Sequence, residues 1–193
     1  MTAPGRAETI PSVKYPRAVA ITGDCLNTSE SDVTAGDLWA RREQLEEAAA
    51  RVLGRMLFEF SRLDMAAGLC AVWVEGGQKL EQLNRTVPEM NFNGRLRFIE
   101  ATVLARLPAG SKRQKAYLAW LERAHAAREK RNELVHGRWG IEPDVNQLVN
   151  VVGLPTSPEQ REVRYTVADL EQALGELCWL QTELHRLRMH WPL

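Results

Sequence analysis

The sequence predicts an all-α bundle of about four long helices with a small β-hairpin before the last one. Three observations carry this. Apolar residues from Leu38 to Val74 recur at spacings of mostly three or four, the template of an amphipathic helix. Residues 112–136 are rich in Ala, Leu, Lys, Arg and Glu, all strong helix formers. Only "QLVNVVGL" and "REVRYTV", on either side of "PTSPEQ", have the composition of short strands.

The chain has 193 residues, enough for one domain with a sizeable core and too few for two large ones. Residues 1–34 hold Pro4, Pro11 and Pro16 with little apolar periodicity, which predicts an extended N-terminal arm with "AVAIT" its one strand-like piece. The helical domain then spans 35–193. Its first helix fits residues 37–75, with Leu45, Ala49, Val52, Met56, Phe60, Leu63, Ala67 and Cys70 on the core side. Gly54 is the place for a bend, and the paired glycines of "EGGQ" (75–78) supply a stop.

The second run, "NGRLRFIEATVLARL", puts Leu96, Ile99, Val103 and Leu107 on one stripe and ends at "PAGS", where Gly110 breaks the helix and Ser111 can cap the next. The third run extends from Lys112 to His136, with Gly137 as its C′ residue. The hairpin is expected between about residues 146 and 166. Thr166, three residues before Asp169, opens the last helix in the manner of a capping box, with Leu170, Leu174, Leu177, Leu180 or Gln181, Leu184 and Leu187 on its core side. No repeat of 20–50 residues is present, which argues against a solenoid.

Twenty-five basic and 25 acidic residues balance, so no bulk field draws the chain to nucleic acid or anionic membrane, and any such contact must be local. Cys25, Cys70 and Cys178 are odd in number and far apart. They read as reduced thiols rather than a zinc site. No apolar leader and no apolar run of bilayer length interrupts the sequence, so the reading is cytoplasmic. Gly-rich phosphate loops, G-x-S-x-G elbows and H-E-x-x-H helices are absent, which sets aside nucleotide kinases, α/β-hydrolases and zincins.

The chemistry concentrates in "EKRNELVHGRWG", Glu129 to Gly140. A helical residue turns about 100°, so Arg128, Asn132 and His136 share one face while Arg131 stands one step round. That face prolongs the line of Leu118, Leu121 and His125, so the cluster is expected against the core or an interface, where charged groups need partners. Two readings are open. In the bland one these residues cap a charged helix end or bond across an interface. In the other an imidazole, which changes charge near neutral pH, moves a proton to or from a ribose hydroxyl or a leaving 5′-oxygen. A guanidinium beside it forks onto the phosphate, and an amide orients the partners. Such a set cleaves RNA without a metal or other cofactor.

"RNELVH", Arg131 to His136, resembles the signature of the HEPN superfamily: Arg, a polar residue, and His after four to six intervening residues. Here four intervene and Asn132 fills the polar place. The motif late in a long helix, with another long helix after it, is similar to the order in that family, over roughly residues 37–190. The resemblance implies a HEPN-like bundle, a homodimer in which two Arg/His sets form one RNA-cleaving cleft, and a place in antiviral defence, toxin–antitoxin or stress response with a cognate antitoxin or regulatory partner. It also implies that some members bind or scaffold without cutting.

The expected catalytic residues are therefore Arg131, Asn132 and His136, with Arg128, Arg138 and Glu59 as candidate substrate contacts or supports, single-stranded RNA as substrate and no metal. The alternative is a non-catalytic binding or dimerisation module for nucleic acid, a nucleotide or a partner protein; an antitoxin-like adaptor is a third reading. Trp139 is expected to pack on the last helix. His185 and His190 lie near a helix C-terminus, where the dipole accounts for them. Arg95, Arg97, Arg106 and "SKRQK" could form basic ground for a phosphate backbone, with a solvated surface as the default.

Overall fold

A computed structural model describes residues 34–193; the expected N-terminal arm, its "AVAIT" piece and Cys25 lie outside the described residues. The chain forms α1 (Ala35–Val72), a 3₁₀ turn (Val74–Gly77), α2 (Leu80–Thr86), α3 (Phe92–Arg106) and α4 (Lys112–His136). Strands β1 (Arg138–Glu142), β2 (Gln147–Val152) and β3 (Arg161–Tyr165) follow, and then α5 (Val167–His190). The predominantly helical class is as the sequence predicts.

Local chemistry sets the helix starts. Thr34 and Asp37 form a reciprocal capping box on α1, and Thr166 and Asp169 form another on α5, each satisfying backbone donors that an open helix end leaves bare. Ser111 accepts from the Gln114 N–H at the start of α4. α1 continues through Gly54 as one helix. It stops where Glu75, Gly76 and Gly77 take positive φ values of 60°, 64° and 80°, the left-handed region that glycine enters at little cost.

α1 packs on α5 and α3, and α4 packs on α3 and α5. Their inward faces are the expected ones: Leu63, Ala67, Leu96, Ile99, Val103, Leu170, Leu177, Leu180 and Leu184 are buried. Trp120 fixes the α4–α5 contact by donating its indole N–H to the Leu180 carbonyl at 2.9 Å, so its polar atom is satisfied inside an apolar core.

The β element departs from the expected hairpin. It is a three-stranded antiparallel sheet in the order β1-β2-β3, and the strand the reading omitted is "RWGIE", directly after α4. Arg138 pairs with Val151 and Glu142 with Gln147; the hairpin closes through Asn146, which takes a left-handed φ of 55°, a conformation asparagine tolerates. β2 and β3 pair as expected around residues 153–160. The sheet therefore starts at the end of the motif helix and returns beneath it.

Candidate functional site

The motif occupies the last two turns of α4, with α1 on one side and the sheet underneath. Arg131 points inward: its guanidinium carbon lies 4.8 Å from the centre of the Phe60 ring, and Phe60 meets Phe92 edge-on at 4.8 Å. A cation over an aromatic face gains electrostatic attraction. Its Nη1 donates to Asn132 Oδ1 at 3.1 Å, while its Nε is buried with no hydrogen-bond partner.

Beside the guanidinium opens a cavity of about 200 Å³ between α1 and α4, bounded by Met56, Leu57, Leu134, Val135 and Trp139. Its walls are almost wholly apolar, with Arg131 as the charged group. Below the usual ~300 Å³ of a small-molecule pocket, it is a slot for a ring or a side chain.

Arg128, Asn132 and His136 do follow one another along one flank of α4. They do not continue a buried line, however. Arg128 and Asn132 are half-buried and His136 is exposed. Arg128 donates to the neighbouring Glu129 at 3.0 Å and keeps a buried, unpartnered Nε. Arg131 and His136 are five residues apart, which turns them about 140° from each other round the helix. The structure thus places Arg131 with Asn132 and leaves His136 at the free end.

Arg138 is an exposed residue at the start of β1. Glu59 does not reach the motif: it pairs with Arg62 at 2.6 Å and accepts from Gln181 of α5 at 2.9 Å, so it ties α1 to α5. Trp139 packs against the core and lines a cavity with Ala50 and Leu53 of α1, with its indole N–H donated to the Leu134 carbonyl at 3.0 Å and its ring 5.8 Å from that of Tyr165. Two of the arginines considered as basic ground are engaged elsewhere: Arg95 bridges to Asp64 at 2.7 Å, and Arg106 pairs with Glu75.

Sequence reasoning missed what holds this helix end in place. Glu133, inside the motif, accepts from Lys130 at 3.1 Å, from the Tyr165 hydroxyl and from Arg161. Lys130 also donates to the Tyr165 hydroxyl at 2.7 Å. Burial pushes the Glu133 carboxyl up, but these donors together outweigh it and hold the group below its ordinary range. Burial likewise raises the Tyr165 phenol, reinforced by its bond to Glu133.

The second anchor is Asn150 in the middle of β2, fully buried. Its Nδ2 donates to the Glu133 carbonyl at 3.0 Å, and its Oδ1 has no partner. The carboxamide lies so close under the helix end that a Cβ on Gly137 would overlap it. Gly137 has φ −80° and ψ 163°, an extended conformation open to any residue, so it is not the left-handed cap expected. Glycine is needed for space. A polar residue amid the valines of "LVNVV" is the signal that could have marked Asn150.

Among the described residues no group of three or more His, Cys, Asp or Glu is placed to hold a metal ion, and no helix is long and apolar enough to cross a membrane. No family model, curated protein or solved structure matches the chain.

Proposed function

We propose that the chain is a HEPN-type, metal-independent endoribonuclease of the cytoplasm, acting on single-stranded RNA in defence, toxin–antitoxin or stress response. The observation that carries this reading is the state of the motif: a guanidinium with a free, buried Nε at the mouth of a slot, and an exposed imidazole at the end of the same helix. Arg131 would fork onto the scissile phosphate, His136 would move the proton, and Asn132, already bonded to Arg131, would orient it. Attack by the RNA's own 2′-hydroxyl needs no activated water, and the product would end in a cyclic phosphate.

Because Arg131 and His136 diverge round α4, the reading calls for two copies, each helix end completing the other's cleft, in a homodimer that includes the C-terminal half of α4. A cognate antitoxin or regulator would act by covering that cleft.

A second reading has its own support. Arg131 rests on Phe60 and bonds Asn132, a seat that a purely structural arginine would also take, and the net charge is zero. The same helix end would then be a non-catalytic binding or dimerisation module. Incubating the purified full chain with single-stranded RNA in EDTA decides between them. The enzyme reading expects RNA to be cut, DNA of the same sequence to survive, and His136→Ala to abolish cutting in a protein with an unchanged melt. Equal cutting by wild type and His136→Ala, or none by wild type, leaves the binding module.

A further inference from the structure

Trp139 separates two cavities on the side of α1 that faces the sheet and the end of α4. One is the slot beside Arg131. The other, of about 230 Å³, is bounded by Arg42, Glu46 and Ala50 of α1 and by Gly140 and Ile141 of β1, and the two share Leu53 and Trp139 as walls. Each lies below the ~300 Å³ at which small-molecule pockets begin, so each has room for one ring system and neither for a larger ligand. Arg42, Glu46, Ala50, Leu53 and Leu57 follow one another at spacings of three or four, which keeps them on one line of the helix. The two cavities therefore lie end to end in one groove along α1.

A guanidinium stands toward each end of this groove, held on an aromatic ring. Arg131 lies over Phe60 at 4.8 Å, and its Nε lacks an acceptor. Arg42 is exposed and lies over the ring of Trp39, itself exposed, at 5.5 Å. Between the two arginines the walls are mostly apolar. A chain that alternates flat rings with anions matches that order: its bases bury their π faces against Trp139 and the aliphatic walls, and its phosphates meet the guanidiniums. Glu46, at the second cavity, suits the same strand when a base rather than a phosphate is turned to it, because a carboxylate accepts from an exocyclic amino group. Arg131 can serve a base and a phosphate together, since a guanidinium has five N–H donors and Asn132 takes one.

We infer that this groove seats two successive bases of a single-stranded nucleic acid, one in each cavity with Trp139 between them. Under the reading above Arg131 takes the scissile phosphate; here the same strand gains a track across α1 and β1. Trp139 takes no part in the chemistry and is a positioning residue, which sets the phosphate that reaches Arg131. Seating depends on the bases and not on the 2′-hydroxyl, so the groove holds a strand whether or not it is cut. The inference rests on the reading above only for RNA as the strand.

Fluorescence anisotropy in EDTA tests it, on the full chain carrying His136→Ala so that the strand stays intact. Two labelled octamers of equal charge are the probes: an RNA of mixed sequence and a ribose-phosphate chain without bases. The abasic octamer should bind at least about fivefold more weakly, the low end of what stacking one base contributes. Ala50→Leu and Val135→Leu stand at exposed helix positions on the two cavities and narrow them without offering a ring. Each should weaken RNA binding by about fivefold with an unchanged melt, and leave the affinity for the abasic chain as it was. Phe58→Leu, elsewhere on α1, should change neither. Equal affinity for the two octamers, or no binding of either, overturns the inference. So does RNA binding indifferent to both Ala50→Leu and Val135→Leu, which would give the cavities to the side chains of a partner protein. RNA that wild type cuts but that His136→Ala holds no better than the abasic chain rejects the base seats and keeps the enzyme reading. Base-dependent binding by a chain that never cuts RNA upholds the seats and rejects the enzyme reading.

Discussion

Along the last turns of α4, one flank presents Lys130 and Glu133 to Tyr165 and Arg161 of β3, and the other presents Arg128, Asn132 and His136 outward. Both flanks are charged, and both sit within the same ten residues. On the first, each of the Glu133 carboxylate oxygens is occupied, and the network joins helix to sheet. On the second, and on Arg131 beside it, buried Nε atoms go without partners and the imidazole faces solvent. A polar cluster closed on itself is scaffold, because its hydrogen-bonding capacity is spent. An open one beside it has donors left for a ligand. The comparison makes the closed flank the support and the open flank the candidate site.

The largest effect expected from breaking it is on RNA cleavage. His136→Ala and Arg131→Ala should each lower the rate by at least about 10²-fold, the low end for losing a general acid or base, whereas Glu133→Gln should keep most of it. Initial rates on a fluorescent single-stranded RNA, with a thermal melt of each variant, check this. A Glu133→Gln rate as low as that of His136→Ala in a folded protein would erase the distinction between the flanks.

Next in size is the support itself. Gly137→Ala forces a methyl into the Asn150 carboxamide, and overpacking of this kind typically costs about 1–3 kcal/mol. Urea denaturation should show the loss, and adding Asn150→Ala should recover part of it by vacating the space. If Gly137→Ala alone is as stable as wild type, Asn150 has room to move and does not fix the helix end.

These two positions also mark where the sequence was legible and where it was not. The ends of α4 were readable because Ser111 and Gly137 are local signals, and the core stripes of α1, α3 and α5 because burial follows a helical period. α2 was missed because seven residues, "LEQLNRT", are too few to show a period. β1 was missed because "RWGIE" becomes a strand only through β2. Gly137 was identified for the wrong reason: its conformation is ordinary, and the constraint comes from a side chain 13 positions away. Within the site, periodicity grouped Arg128, Asn132 and His136 correctly. It could not tell that His136 would be exposed, nor that Glu59 would choose Gln181 and Arg62.

A smaller effect should appear only in acid. The Glu133 carboxyl is held below its ordinary range in the folded chain, so the unfolded chain binds the proton more readily. That contribution to stability is fully present above the ordinary glutamate value of about 4.3 and is lost as pH falls through the lowered folded value. Wild type should therefore lose stability on going from pH 6 to pH 3 more steeply than Glu133→Gln, which has no proton to take up there. Denaturant midpoints across that range read the difference in slope; parallel curves would mean that the closed flank contributes no pH dependence.

The smallest effect is expected at Glu59, and its smallness is the point. Sequence spacing made it a candidate support for the motif, but its carboxylate is committed to Arg62 and to Gln181 on the far helix. Glu59→Gln keeps an acceptor for Gln181 and gives up the ion pair with Arg62, whose side chain is 66% exposed while that of Glu59 is 14% exposed; solvent at the Arg62 end screens the pair, so its contribution is small. Both the melt and the cleavage rate should stay close to wild type, with the rate within about threefold. The same substitution separates two accounts of the open flank. If the flank works through Arg131, Asn132 and His136 alone, Glu59→Gln is silent in the assay that His136→Ala abolishes. A loss of cleavage at least tenfold with an unchanged melt would mean that Glu59 turns to the motif when RNA is bound, and that the open flank extends across α1.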